Sequence, residues 1–261
     1  MGSVITLTTD FGVADGYQAV LEGVIAGINP GARIISISHG VPPGDIAGGC
    51  YLLETHHLYF PPGTIHLAVV DPGVGSRRKI IAVNTGRYMF VAPDNGLLSF
   101  IPEREILSIN SITDRRYALA SVSPVFHGRD IMAPAAAFLS LGVDPACLGP
   151  ACRNPVVLPA DKPVRIKGRL KGRIIWVDRF GNLITNISEK EIAAGGEVWV
   201  NGISIGSTRR TFSDVRPGRP LAYIGSGRHL EIAVRGQSAL SRFGGNREDI
   251  EIEVALVRAR S

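Results

Sequence analysis

Ile65-His66-Leu67-Ala68-Val69-Val70 runs straight into Asp71-Pro72-Gly73-Val74-Gly75-Ser76-Arg77-Arg78, and a second apolar run opens at Ile80-Ile81-Ala82-Val83. A short, uninterrupted apolar run bounded by turn residues reads as a strand buried on both faces of a sheet. It ends on a carboxylate and breaks into a Pro/Gly turn that delivers two arginines. In an open α/β sheet, ligands sit in the crevice beyond the carboxyl ends of the strands. Such a loop sets an acid and a guanidinium side by side at that edge, and its glycines let backbone approach a small molecule. Taken alone, one loop of this kind reads better as a plain turn carrying a solvated ion pair. Further loops of the same design shift the balance.

Outward from this stretch, strand-like and helix-like segments alternate. Strands are expected at 4–8, 33–37, 65–70, 80–84 and 88–91. Helices are expected at 16–28, 45–53 and 131–141, with a short helix or turn at 94–100. Ala19, Val20, Val24 and Ile25 recur at helical spacing in the first helix. This alternation predicts an α/β domain over residues 1–150, with a mainly parallel sheet flanked by helices. Residues 151–167, with Pro155, Pro159 and Pro163, read as a linker. Short β-like runs follow at 169–177, 183–187, 197–200, 220–224, 230–234 and 250–257, so 168–261 is expected to be a small all-β, barrel-like domain, with a sandwich as the other all-β form the runs allow.

The 261 residues are 45% hydrophobic and 20% charged, ample for a buried core, and carry a formal net charge of +5. The basic excess is spread along the chain without a basic block or interleaved aromatic stripe, which argues against a nucleic-acid partner. No apolar run approaches membrane-spanning length. No basic segment followed by an apolar stretch marks a signal peptide. Cys50, Cys147 and Cys152 are odd in number and widely spaced, which fits neither a disulfide framework nor a zinc site. They suit a reducing, cytoplasmic compartment. A Walker A loop, a dinucleotide-binding glycine fingerprint and HExxH are all missing from the sequence.

Four further loops carry chemistry. Asp10, in Thr8-Thr9-Asp10-Phe11-Gly12, sits at the carboxyl end of the first strand, where a carboxylate accepts hydrogen bonds from ligand hydroxyls; Asp15 is placed to cap the following helix. Asp94-Asn95-Gly96 is turn chemistry. His127, in Phe126-His127-Gly128-Arg129-Asp130, stands at the mouth of the Ala-rich helix, with Asp130 as an N-cap or first-turn acid. Asp178-Arg179-Phe180-Gly181-Asn182 puts an acid, an aromatic face and an amide within five residues. That set suits a purine, with Phe180 stacking and Asn182 reading the Watson–Crick edge. It equally suits a β-hairpin with glycine at its turn.

These motifs, together with Ser38-His39-Gly40-Val41-Pro42-Pro43, fall in the order seen in one family. The chain resembles the S-adenosyl-L-methionine (SAM) hydroxide adenosyltransferases, or SAM hydrolases, relatives of the bacterial fluorinating and chlorinating enzymes. The resemblance covers nearly the whole chain. It implies a homotrimer with the ligand between the N-terminal domain of one subunit and the C-terminal domain of its neighbour. It places the water-activating trio on Asp71, Arg78 and His127, its spacing selecting Arg78 over Arg77. Asp10 matches the acid that holds the ribose hydroxyls. Asp178, Phe180 and Asn182 match the methionine- and adenine-side contacts. Ser226, Glu231 and Val234 match the C-terminal strand that closes over the nucleoside.

The reaction so implied is attack of water on the ribose C5′ of SAM, giving adenosine and L-methionine. Methionine leaves as a neutral thioether, so SAM is the one small-molecule substrate, and no cofactor or metal is expected. The obstacle is the nucleophile, since bulk water has a pKa of about 15.7. A guanidinium favours its hydroxide form, and a carboxylate or imidazole orients it and takes its proton. Halide transfer is the nearest alternative, but it needs no proton acceptor, and Asp71 and His127 supply two. A non-catalytic SAM or adenosine sensor is a second alternative. A metal-dependent phosphohydrolase built on Asp10, Asp71, Asp94 and His127 ranks last, because those acids follow different strands.

Overall fold

The computed structural model describes residues 3–193 and 195–256, which divide into two compact units, Met1–Leu158 and Pro159–Ser261. In the N-terminal unit β1 (Val4–Thr9) is followed by α1 (Tyr17–Ile28), β2 (Arg33–Ser38), α2 (Ile46–His56) and β3 (Ile65–Val69). Then come β4 (Ile80–Asn84), β5 (Met89–Pro93), β6 (Ser108–Ser111), a π-helical turn at Gly128–Met132 and α3 (Ala133–Ser140). The strands form one sheet in the order β2-β1-β3-β5-β4-β6.

The run that opened the sequence reading is β3, and every one of its residues is buried. It lies between β1 and β5, parallel to both. The sheet is mixed, with the parallel part expected and an antiparallel edge that was not: β1–β2, β1–β3 and β3–β5 pair parallel, whereas β4–β5 and β4–β6 pair antiparallel. The reason is the connection from β4 to β5 through Thr85-Gly86-Arg87-Tyr88. Four residues allow a hairpin return but not the dozen or more that a parallel crossover takes.

On one face Leu21 and Ile25, one helical turn apart on α1, join the alanines of α3 against Ile5, Leu7, Leu67 and Val69. Small residues on α3 let the helix lie close to the sheet. On the other face Ile81, Val83, Tyr88, Phe90 and Ile101 form a second core. His66 of β3 belongs there, stacked on Phe90 with ring centroids 5.0 Å apart and with Nδ1 2.7 Å from the Thr6 hydroxyl. Its Nε2 finds no hydrogen-bond partner among the described residues. Burial, with His57 adding to it, pushes the His66 ring down to about 3.

Several local expectations are corrected. Gly16, not Asp15, occupies the N-cap of α1, and no side chain caps that end. Residues 94–100, read as a short helix or turn, form turns. The Ala-rich helix is entered through the π-helical turn, so its regular part begins at Ala133.

The C-terminal unit contains β7 (Val164–Ile166), β8 (Arg169–Gly172), β9 (Ile174–Val177), β10 (Leu183–Ser188), β11 (Gly196–Val200), β12 (Ile203–Ser207), β13 (Pro220–Ile224), β14 (His229–Val234), a short α4 (Ala239–Phe243) and β15 (Ile252–Leu256). The domain is all-β as expected, but no closed barrel forms among the described residues. The strands pair as two open antiparallel sheets, β13-β14-β10-β9 and β12-β11-β15-β8-β7. The expected single run at 169–177 is divided after Gly172. There a Cβ would lie 2.6 Å from the Ile187 side chain, and β8 goes to one sheet while β9 goes to the other. Val257, the end of the last expected strand, lies outside the described residues. No helix among the described residues is long and apolar enough to cross a membrane.

Candidate active site

The strand order 2-1-3 makes the carboxyl ends of β1 and β3 a switch point. The chain leaves β1 toward β2 on one side and returns through α2 to β3 on the other. Crevices at such points are where α/β sheets bind ligands. Asp10 follows β1 and Asp71 follows the β3 run, on neighbouring strands in register at Thr9 and Val69. Asp10 is half-buried, and its Oδ2 accepts a hydrogen bond of 2.9 Å from Gly44 N–H. Behind it, the Thr9 hydroxyl meets His39 Nδ1 at 2.8 Å, and His39 Nε2 meets the Ser36 hydroxyl at 2.8 Å.

The loop after β3 folds Arg78 back over Asp71. Arg78 Nε donates to Oδ1 at 2.9 Å and to Oδ2 at 2.8 Å, and Nη2 also donates to Oδ2. The two side chains are only 10% and 5% exposed. The same Nη2 lies 3.0 Å from His127 Nδ1. Asp71, Arg78 and His127 therefore stand in one hydrogen-bonded line, whereas Arg77 is exposed. Gly75 lets the two loops meet: it has φ +80°, and a Cβ there would lie 2.7 Å from Pro124 O.

A guanidinium has only donors to offer. His127 Nδ1 must therefore accept from Arg78, and in the neutral ring the hydrogen sits on Nε2. Burial first, and the positive charge of Arg78 second, hold His127 below its ordinary value of 6.5 against the opposing pull of Asp71 and Asp130. The imidazole is thus neutral at neutral pH.

Sequence reasoning missed two features beside the trio. Phe11, Tyr17 and Phe126 form a triangle of edge-to-face rings with centroids 5.5 to 5.9 Å apart. Their signal was present, since each lies within seven residues of Asp10 or His127. Asp130 is in the first turn, as read, but its carboxylate caps no helix. Arg129 Nε donates to its Oδ1 at 2.5 Å and Nη2 to its Oδ2 at 2.9 Å, and Ser123 N–H donates to Oδ2 at 2.8 Å. Burial works to raise the Asp130 carboxyl, but the bonds from Arg129 and Ser123 outweigh it and hold it below the usual range. A cavity of about 980 Å³ lies elsewhere, against Ile81, Val83, Ile109 and Cys152, and none of the trio lines it. Among the described residues, no three or more His, Cys, Asp or Glu side chains are grouped to hold a metal ion.

In the C-terminal unit Asp178 builds its own turn. Its Oδ1 accepts from Phe180 N–H at 2.9 Å and from Asn182 N–H at 2.8 Å, and its Oδ2 accepts from Asn182 Nδ2 at 2.7 Å. Phe180 stands at the tip, 76% exposed. Glu231 of β14 is buried, accepts from the Tyr223 hydroxyl at 2.6 Å, and has its carboxyl raised by burial and by the charge of Asp178. It presses on Gly225, where a Cβ would lie 1.7 Å from Glu231 Oε1. Asp178, Asn182 and Glu231 thus come together. Ser226 is exposed in the β13–β14 turn, and the Val234 side chain is part of the hydrophobic core.

Comparison with known proteins adds the chemistry's context. The family profile described as the SAM hydroxide adenosyltransferase N-terminal domain matches residues 5–149, and that of the C-terminal domain matches residues 172–251. The chain is 40% identical to the (R)-S-adenosyl-L-methionine hydrolase of Thermus thermophilus over 244 residues, covering 90% of this chain and 93% of the relative. It is 25% identical to a fluorinase of Actinoplanes, covering 88% and 90%. The crystal structure of an uncharacterized conserved protein from Thermotoga maritima superimposes with a TM-score of 0.88 at 35% identity, covering 96% of this chain and 99% of that one.

Proposed function

Because this chain belongs to the SAM hydroxide adenosyltransferase family, we propose that it hydrolyses SAM to adenosine and L-methionine by attack of water on the ribose C5′. The (R)-sulfonium form, which the Thermus relative's name specifies, is the substrate to test first. The observation that carries the reading is the Arg78 guanidinium shared between Asp71 and His127.

The reaction consumes a sulfonium cation and water and releases one proton with its two neutral products. Arg78 does not deprotonate; its charge favours the hydroxide form of a water beside it. Asp71 retains acceptor capacity beyond the bonds from Arg78, because two carboxylate oxygens offer about four acceptor positions. We assign it as acceptor of the water proton. His127 offers Nε2–H to the water oxygen and fixes its approach. In-line alignment of oxygen, C5′ and sulfur supplies the remainder. Asp10 holds the ribose hydroxyls. Asp178, Phe180, Asn182, Ser226, Glu231 and Val234 serve the methionine and adenine ends, Val234 through its backbone since its side chain is in the core. No cofactor enters this scheme. The proposal includes a homotrimer, supported by family membership alone, and a cytoplasmic setting, which the free cysteines suit.

The test is incubation with SAM in ¹⁸O-labelled water, with EDTA and with halide added in parallel. Label on the adenosine 5′-oxygen, undiminished by EDTA, is the expected result. A 5′-halo-5′-deoxyadenosine product would make the protein a halide transferase. Saturable binding with SAM unchanged would make it a sensor. Sedimentation velocity checks the trimer.

A further inference from the structure

His127 can take its place against Arg78 only if its own turn is held rigidly, and that turn is an unusual one. Residues Gly128–Met132 form a π-helical turn rather than continuing α3. Such turns give up regular geometry and recur at functional sites. Asp130 lies in this turn with its side chain 1% exposed. A carboxylate buried to that degree is costly even when paired, so the Asp130–Arg129 pair is a poor device for stability alone.

Its contacts are all aimed at what surrounds His127. Through Ser123 N–H the carboxylate pins the segment that leads into His127. Its backbone carbonyl accepts from Leu119 N–H at 2.8 Å, and its N–H donates to Phe126 O at 3.1 Å. Arg129, which grips both carboxylate oxygens, lays its guanidinium over the Phe126 ring, 4.9 Å from the centroid. The residue before His127 and the residues after it are thus tied to one buried anion. The same 119–127 segment abuts Gly75 of the Asp71–Arg78 loop through Pro124.

We propose that Asp130, together with Arg129, is a positioning residue pair for the reaction: it holds the π-helical turn so that His127 presents Nδ1 to Arg78 and keeps Nε2 for the water. The inference rests on the reading above that His127 acts in the reaction. The charged groups facing His127 are Arg78 and Asp71 from the loop after β3 and Asp130 from its own turn. Removing the Asp130 charge therefore also lowers the His127 titration midpoint.

The experiment is a double-mutant cycle on the full chain: Asp130→Asn, His127→Ala and the double variant, each assayed for kcat and KM with SAM. Displacing a reacting group by an ångström costs about 100-fold in rate, and Asp130→Asn is expected to lower kcat by that order with KM unchanged. In the His127→Ala background the same substitution is expected to do nothing further, and ring NMR of Asp130→Asn is expected to show His127 titrating at lower pH. Equal losses in both backgrounds, or wild-type kcat in Asp130→Asn, would overturn the proposal. Wild-type turnover in His127→Ala would overturn the reading beneath it instead, and the inference with it. If Asp130→Asn does not fold, Arg129→Gln takes its place in the cycle. Its side chain is partly exposed, and a coupling worth about tenfold, lost in the His127→Ala background, is expected.

Discussion

Removing Asp71 alone should destabilise the protein, removing Asp71 and Arg78 together should not, and both should have the same effect on turnover. Both side chains are nearly buried, and all the Arg78–Asp71 bonds form inside that enclosure. Asp71→Ala leaves the guanidinium buried with only His127 Nδ1 to receive it. Breaking a buried pair from one side costs about 3–5 kcal/mol. For a domain of this size that lowers a melting midpoint by about 10 °C. Asp71→Leu with Arg78→Met replaces both charges by apolar groups of similar bulk, and such exchanges are about neutral or stabilising. The double variant should therefore melt close to wild type. Turnover should fall at least about 100-fold in both, because the proton acceptor is gone from each. The two tryptophans, Trp176 and Trp199, both lie in the C-terminal unit. Far-UV circular dichroism is thus the probe that includes the N-terminal unit, with tryptophan fluorescence as a control on the other. Full stability in Asp71→Ala would refute the burial argument. Turnover surviving in a well-folded double variant would refute the catalytic one.

Two further outcomes depend on histidines. Protonating His127 would place a hydrogen on Nδ1 against the Arg78 donor, so activity should be lost on acidification with a midpoint below 6.5, as the direction of its shift requires; a kcat–pH profile with its acid limb at or above 6.5 contradicts this. His66 is held near 3 when folded against 6.5 ordinarily, so as pH falls the unfolded chain takes up the proton first. Its contribution to stability is complete above about 6.5 and drains by about 1.4 kcal/mol per pH unit down to about 3, or about 3 kcal/mol between pH 7 and 4. Urea midpoints of wild type and His66→Phe over that range check it, and parallel slopes would sink it.

The sequence carried β3 plainly because a strand buried on both faces has no polar residue to disguise it, and His66 passes as apolar since its environment keeps it neutral. The short elements were harder. β6 reads Ser108-Ile109-Asn110-Ser111 and is the last strand of its sheet, flanked on its outer side only by a bridge to Ala151, so its pattern is not that of a strand buried between two others. β7 is inside the proline-rich stretch, and β12 is an edge strand with a glycine in it. The barrel expectation failed for a different reason. Strand existence is a local property, whereas pairing β8 with β15, as Gly172 with Ile252 and Arg169 with Ala255, is decided only by long-range packing. At the candidate site, Asp71 and His127 were singled out from their loops, and the structure brings both onto Arg78. The resemblance's spacing selected Arg78 over Arg77, but the contact of Arg78 with His127 and the surroundings of Asp130 depend on how two loops meet at Gly75 and Pro124.

Proton accounting separates water from halide as the nucleophile at this site. Hydrolysis of a sulfonium leaves one proton to dispose of, and halide displacement leaves none. Arg78 gives up no proton, and His127 has its one lone pair already committed to Arg78. On the proposed reading Asp71 is then the group of the trio with acceptor positions to spare. A site evolved for halide gains nothing from a carboxylate at the nucleophile's position, because that charge repels an incoming anion. A site for water needs it, since hydroxide forms only as the proton departs. On the proposed mechanism the nearly buried cation and anion act as a single device: one stabilises what the water becomes, and the other takes what it loses.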